Sequence, residues 1–489
     1  MTSRTTSRAP WRRPRAAGLV LGLVAALTGV AVLGGSVASG SSRRTALRGI
    51  HKIRHVIIIF QENRSFDSYF GTYPGALGIP MRNGKPTVCV PTLGSTHCVR
   101  PYVNHADLNG GGPHDAINSA ADIAGGKMNG FLIQAEQGRR DCVDPTDPAC
   151  TNSAVADVMG YHVGTDIPNY WAYAKHFVLQ DHMFESVHSW SFPSHLYLVS
   201  GWSANCAKVN DPMSCKSALD PTDRTVSSPT PFAWTDLTYL LHKHHVSWAW
   251  YLDGGAAPVD LRLFEVRSGI PASFIGGVPK IWNVLPGFTD VHTDHQVANI
   301  QTDDEFFDRA AKGRLPAVSW LLPDGPDSEH PPALVSTGES YVTRLVDAVM
   351  HSPDWKSSAI FITWDDWGGF YDQVVPPRFD ALGYGIRVPG LVISPYAKKG
   401  YVDHQTLSFD AYLKFIEDDF LKGQRLNPAT DGRPDSRPNV RENARILGNL
   451  AKDFNFRQKP RKALILPACP KTTLTGVPSP APNCTAPFG

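Results

Sequence analysis

Several chemistries are excluded by what the sequence lacks. No HExxH, GxSxG or G-x-x-x-x-G-K-[ST] pattern occurs in its 489 residues, which argues against zincins, α/β-hydrolases and P-loop nucleotide hydrolases. No C-x-x-C occurs either, so the eight cysteines do not form a zinc ribbon or finger. There is no internal repeat at a fixed period, which excludes solenoids and propellers. A surplus of one charge is missing too: 47 basic and 45 acidic residues give +2. Five arginines lie in the first 38 residues, with no Lys, Asp or Glu, so the remainder carries +2 − 5 = −3. Nothing in that balance points to a nucleic-acid partner. Charged residues make up 19% and hydrophobic ones 42%, a globular composition, and 42 Gly with 40 Pro promise many loops.

The first 38 residues read as an export signal. "SRAPWRRPRAAG" is basic, "LVLGLVAALTGVAVLGG" is apolar, and Ser36 to Ala38 place small residues where a signal peptidase cuts. An uncleaved anchor is the competing reading, since Ala17 to Ala38 is also long enough to span a bilayer. Arg12 and Arg13 raise the twin-arginine route. Residues 39–53 form a basic linker. The expected location is outside the cytoplasm, secreted or in the cell envelope. The cysteines agree with this, because they fall into four local pairs suited to disulfides in an oxidising compartment: Cys89/Cys98, Cys142/Cys150, Cys206/Cys215 and Cys469/Cys484. Each would add about 2–3 kcal/mol through loop closure.

Short apolar runs supply the expected strands: "HVIIIF" (55–60), "VSWAWYL" (246–252), "AVSWLL" (317–322), "AIFITW" (359–364) and "GLVIS" (390–394). Helical periodicity lies between them, over 340–352 and 410–421. This alternation predicts an α/β fold, with a mostly parallel central sheet and helices on both faces. Residues 75–165 are rich in Gly, Pro, Asn and Cys and read as a long disulfide-clipped insertion. The expected catalytic domain is 54–421, and 422–489 is an irregular C-terminal tail. Trp190, Trp202, Trp248 and Trp250 suit either a core or a cage for a quaternary ammonium group.

Function in such sheets gathers beyond the carboxyl ends of strands. Two predicted strands end in adjacent oxygen donors, "HVIIIFQ" in Glu62 and Asn63 and "AIFITW" in Asp365 and Asp366. Either pair alone also fits a helix cap or a salt bridge. Together, at two strand exits, they suit a hard divalent cation such as Ca²⁺, Mg²⁺ or Mn²⁺. In "SVHSWSFPSHLYLVSG", Pro193 suits a first helical turn, which sets Ser191 just ahead of a helix N-terminus. Ser191 is therefore an N-cap or a metal-activated nucleophile. His114 in "GGGPHDA" and His330 in "DSEHPPA" sit in loops, where a histidine is by default a surface residue.

These segments together resemble the bacterial phosphoesterase family that includes non-haemolytic phospholipases C and an acid phosphatase, within the alkaline phosphatase superfamily. The matching stretches are "ENRSFDSYFG", "GGKMNGF", "SFPSHLYLVSG", "SEHPPA", "TWDDWGGFYDQVVPP" and "GYGIRVPGLVISPYAKKGYVDHQTLSFDAYLKFIE". The resemblance implies an alkaline-phosphatase-like fold and hydrolysis of phosphate esters through a phosphoseryl intermediate. Glu62, Asn63, Asp365, Asp366 and Ser191 would hold a divalent metal cation. Ser191 would be the nucleophile, and His114 and His330 would serve the phosphate or the leaving group. A third family histidine has two candidate positions, His292 and His295. The substrate class implied is a phosphate ester or a phospholipid, with transient membrane-surface contact for the latter. There are two departures. The phospholipase pattern T-x-P-N-R is Ser191-Phe192-Pro193-Ser194-His195 here, and "YDHV" is Tyr371-Asp372-Gln373-Val374. Loss of the Asn-Arg pair leaves head-group choice open. A pseudoenzyme that keeps the metal site, and a sulfatase or phosphotransferase of the same superfamily, remain as rival readings.

Overall fold

A computed structural model describes residues 48–138, 154–221, 231–257 and 276–477 together with Cys484. The expectations for residues 1–47 and for the Cys142/Cys150 pair lie outside the described residues. Among the described residues no helix is long and apolar enough to cross a membrane.

The centre of the fold is an eight-stranded sheet. Its strands in chain order are β1 (His55–Gln61), β2 (Val178–Gln180), β3 (Trp248–Leu252), β4 (Ile300–Thr302), β5 (Val318–Leu322), β6 (Ser358–Trp364), β7 (Gly390–Ile393) and β8 (Tyr401–Asp403). Across the sheet they lie in the order β4-β3-β5-β1-β6-β7-β2-β8. Every residue of β1 and of β6 is buried, so both of their faces are covered, as their unbroken branched and aromatic runs require. β1 pairs in parallel with both β5 and β6, in a register that sets Gln61 opposite Trp364. β7 alone runs against its neighbours, antiparallel to both β6 and β2. A buried apolar run looks the same in either direction, so its sequence carries no sign of this reversal.

Three helices matter most for the site: α1 (Ser191–Ser200), α2 (Val335–His351) and α3 (Asp410–Phe420). α2 starts five residues before the apolar periodicity suggests. Its first turn is satisfied from outside, because the Asp107 carboxylate accepts from Ser336 N at 2.8 Å and Ser336 Oγ at 2.7 Å. Asp107 belongs to the irregular 75–165 segment, so that segment is stitched to the main body.

The segment also has a small core of its own. Val90, Met128, Phe131, Leu132 and Val158 pack with Trp367, Tyr371 and Ile386, which come from the long loop after β6. Disulfides join Cys89 to Cys98, Cys206 to Cys215, and Cys469 to Cys484. Trp190, Trp202, Trp248 and Trp250 all belong to the main hydrophobic core, which settles their role as packing.

Candidate active site

β1 and β6 are neighbours, so their exits deliver Glu62, Asn63, Asp365 and Asp366 to one place. The backbone locks them together. Asp365 N donates to Gln61 O at 2.9 Å, Asn63 N to Asp365 Oδ1 at 2.8 Å, and Arg64 N to Asp366 O at 3.0 Å. Asn63 takes a left-handed conformation, φ 59°, which an asparagine tolerates better than most residues and which turns the chain sharply out of the strand.

All four side chains are buried. Glu62 Oε2, Asn63 Oδ1 and Asp365 Oδ2 have no hydrogen-bond partner among the described residues. One ligand atom each from Glu62, His195 and Asp365 lies within 4.8 Å of the others. Burial, then the charges of Asp365 and Asp366, push the Glu62 carboxyl well up. Burial and Asp365 do the same to Asp366. Asp365 goes the other way. Against the effect of burial, the neighbouring Glu62 carboxyl, then the His195 imidazole, the Ser191 hydroxyl and the Asn63 amide hold it below the usual carboxylate range. Carboxylates crowded in this way need a shared proton or a cation between them. Three orphaned oxygens on converging side chains fit a divalent cation.

Ser191 is the first residue of α1, one position further in than the sequence suggests, and Trp190 precedes the helix. Its hydroxyl makes no capping bond there. Instead Ser191 Oγ donates to Asp366 Oδ2 at 3.2 Å, and Asp366 Oδ1 accepts from Gly368 N at 2.7 Å. Pro193 carries no N–H and Ser194 N donates to Trp190 O at 3.3 Å, so the N–H groups that the first turn of α1 can offer beside this hydroxyl are those of Ser191 and Phe192.

His114 and His330 meet at this site, their ring centroids 5.7 Å apart. His114 Nδ1 lies 2.8 Å from Gly112 O, to which it donates, and its Nε2 lies 3.0 Å from Asn63 Nδ2. His330 donates from Nδ1 to Pro331 O at 2.7 Å. Burial, then the neighbouring His114, lower the His330 imidazole to about 4. The loop carrying His114 is held close by glycine. Gly112 N donates to Gly368 O at 2.9 Å, and a Cβ on Gly369 would collide with the Gly112 backbone.

His292 and His295, the two candidates for a third histidine, are exposed, and His292 is bonded to Pro286 O at 2.8 Å. The third imidazole in the site is His195. Its Nε2 lies 2.8 Å from Glu62 Oε1, and burial lowers its pKa to about 4, so it is neutral and donates that N–H. The signal was a spacing: Ser191 and His195 are four apart on one helix, which puts them on the same face. Glu185 is a second addition. Its Oε1 accepts from Ser194 Oγ at 2.9 Å, while burial and Asp366 push its carboxyl well up. Both residues of the Ser194-His195 pair thus bind carboxylates where the phospholipase pattern has Asn-Arg.

Arg64 and Asp67 brace the loop. Arg64 donates to Tyr69 Oη and Asn63 O, both at 2.9 Å. Asp67 and Asp372 share Arg387, at 3.1 Å and 2.9 Å.

The sequence model of the Phosphoesterase family matches residues 53–421. The chain is 26% identical to a non-hemolytic phospholipase C of Burkholderia pseudomallei, over 86% of this chain and 61% of that protein. It is 27% identical to a hemolytic phospholipase C of Pseudomonas aeruginosa, over 75% and 53%. It is 25% identical to phospholipase C B of Mycobacterium tuberculosis, over 83% and 78%. The chain therefore spans only 61% and 53% of the length of the first two relatives. Among solved structures it aligns with an alkaline phosphatase superfamily protein from Vibrio parahaemolyticus at 12% identity and TM-score 0.33, over 81% of this chain and 73% of that one.

Proposed function

Since this chain belongs to the Phosphoesterase family, we propose that it is a metal-dependent phosphoric ester hydrolase with Ser191 as nucleophile. The observation that carries the reading is the Ser191 hydroxyl, 3.2 Å from Asp366 and beside three orphaned buried oxygens. Glu62, Asn63, Asp365 and Asp366 would hold a divalent cation, which when bound would supply positive charge to the phosphate and favour ionisation of the serine.

The chain's own groups account for the remaining chemistry. Ser191 Oγ attacks phosphorus in line with the leaving oxygen, and its proton passes to Asp366 Oδ2. The P–O bond to the leaving group breaks as the P–Oγ bond forms. The first-turn amides of α1 face the oxygens that gain charge. His330, whose imidazole takes up a proton as the anionic phosphate binds beside it, gives that proton to the departing alkoxide. Water then cleaves the P–Oγ bond, releasing phosphate or a phosphomonoester, and Ser191 regains a proton.

Named relatives that are phospholipases C support a phosphodiester in a lipid as the substrate, reached by transient contact with a membrane surface. The Ser194-His195 departure leaves the head group of that lipid open. Three disulfides support an exported protein. The deciding experiment is a panel of phosphatidylcholine, p-nitrophenyl phosphorylcholine and p-nitrophenyl phosphate, each with and without chelator, on wild type and Ser191→Ala. Turnover that needs both the metal and the hydroxyl is expected. Wild-type turnover by Ser191→Ala would overturn the reading.

A further inference from the structure

Away from the catalytic cluster, two short strands end side by side in metal-binding residues. β2 and β8 are parallel, with Gln180 opposite Asp403, so the next residues out are Asp181 and His404. His182 follows Asp181 directly. One ligand atom each from Asp181, His182 and His404 lies within 4.8 Å of the others. His182 Nδ1 is 2.7 Å from Asp181 Oδ1, and His404 Nδ1 is 2.9 Å from Oδ1 and 2.8 Å from Oδ2. Two imidazoles therefore present the same ring nitrogen to one carboxylate.

The carboxylate is fixed and the imidazoles are accessible. Asp181 is fully buried, and its Oδ2 accepts from Leu77 N at 2.7 Å. The side chains of His182 and His404 are 22% and 59% exposed, which leaves an ion a way in from solvent. The separation from the catalytic site is also clear. β8 lies three strands from β6, roughly 14 Å at the usual strand spacing.

We propose that Asp181, His182 and His404 form a second metal site, structural in role and suited to Zn²⁺ or a similar borderline ion. Two nitrogens and one carboxylate oxygen make a donor set that favours zinc, whereas the oxygen-rich catalytic cluster favours harder cations. The two imidazole–carboxylate separations, 2.7 to 2.9 Å, fall short of the edge of about 3.3 Å for a tetrahedron with Zn–ligand bonds of about 2.0–2.1 Å, so binding requires the three side chains to open slightly and both Nδ1 atoms to give up their protons.

The fold gives such an ion work to do. β8 is a three-residue edge strand, and a metal would tie it to β2 beyond its last ladder bond. Asp181 also reaches inward. Its carbonyl accepts from Arg387 Nη1 at 2.8 Å, and the same guanidinium holds Asp67 and Asp372 behind the catalytic loop. Leu77, bonded to the carboxylate, begins the 75–165 segment that carries His114. One ion at this edge would steady both.

The full chain is stripped with chelator, then titrated with Zn²⁺ and with Co²⁺ while melting temperature and visible absorption are followed. Wild type should gain a saturable rise in melting temperature and a Co²⁺ spectrum of a nitrogen–oxygen site. Both should persist in Asp365→Asn. In His182→Ala/His404→Ala made on the Asp365→Asn background both should vanish, and on that background the exposed single change His404→Gln should weaken Zn²⁺ binding at least about tenfold. Should the double variant not fold, the His404→Gln titration decides alone. Equal Zn²⁺ affinity with and without His404→Gln on that background, or no Zn²⁺ response in wild type, would overturn the proposal.

Discussion

The Ser191 hydroxyl donates to Asp366 across 3.2 Å, joining the first residue of α1 to the exit of β6. The helix start, the β6 exit and, through Gly368, the turn that receives the His114 loop are all engaged by this one contact. Ser191→Ala removes it. Turnover of p-nitrophenyl esters is expected to fall by at least about 10³-fold, as for other nucleophile deletions. Ser191→Thr keeps a hydroxyl but adds a methyl to a packed site. It should recover part of that rate at a stability cost of about 1–3 kcal/mol, read by steady-state kinetics and denaturant melts.

His195 and Glu62 form a buried pair at 2.8 Å. Removing the imidazole leaves the Glu62 carboxylate without its donor. His195→Ala is expected to cost about 1–3 kcal/mol in denaturant unfolding, the cost of a buried polar group left without its partner. His195→Asn, which retains an N–H donor, should recover a share of it. A Kd for Mn²⁺ unchanged in both variants would remove Glu62 from the cation site.

Metal removal should destabilise the protein more as pH rises. Glu62 and Asp366 have folded pKa values above their unfolded values, so without a cation they favour the fold only while protonated. That contribution is complete below the unfolded pKa and is lost as pH climbs through the folded one. The drop in melting temperature on adding chelator should therefore be small near pH 5 and larger near pH 8. A drop independent of pH would contradict the assignment of these carboxylates.

A second acidic group gives a pH slope of its own. Burial and neighbouring carboxylates push Asp253, Asp303 and Asp324 up to about 6, 7 and 6, with Asp327, Asp304, Arg344 and Tyr341 facing them. Their folded values exceed the unfolded ones, so the stability they contribute is present below about pH 4 and lost between about pH 4 and 7. Melting temperature should fall across that window, and Asp303→Asn should flatten the fall.

The glycine turn after Asp366 tolerates no side chain. Gly368 has φ 58°, and a Cβ there would sit 2.7 Å from Asn63 Cβ and 2.8 Å from Asn63 O. Gly368→Ala combines this clash with a left-handed conformation costing about 1–2 kcal/mol. It should lower both melting temperature and Mn²⁺ affinity, because the residue displaced is Asn63. A control alanine at Gly84, which has nothing within 4 Å, should carry the conformational cost alone.

The parts of this molecule that the sequence made legible are those where one physical demand dominates. β1 and β6 had to be central strands because their runs are apolar on both faces. Glu62, Asn63, Asp365 and Asp366 stood out because oxygen donors at the exits of such strands need a reason. The strands β2, β4 and β8 were not legible, because three residues are too few to show a period. In the sequence His195 shows only as the absence of an arginine, and the packing of α1 against β1, with Phe60 edge-on to its ring, reveals it as a partner of Glu62. Glu185 lies in a segment without periodicity, and its role depends on Ser194 and Asp366 arriving from elsewhere.

The reversal of β7 has a consequence for how this architecture accommodates new substrates. β6 leaves its last residue at the catalytic end, and β7 starts beside it, with Gly390 opposite Thr363. The chain between them, residues 365–389, never crosses to the far end of the sheet. It is a closed excursion, pinned at both feet, that begins in Asp365 and Asp366 and passes through Trp367, Tyr371 and Arg387. Its middle can lengthen, shorten or change its side chains without altering strand order or the two acids at its root. Diversification of substrate choice among chains of this design therefore has a natural place to occur, one in which the scaffold does not have to be renegotiated.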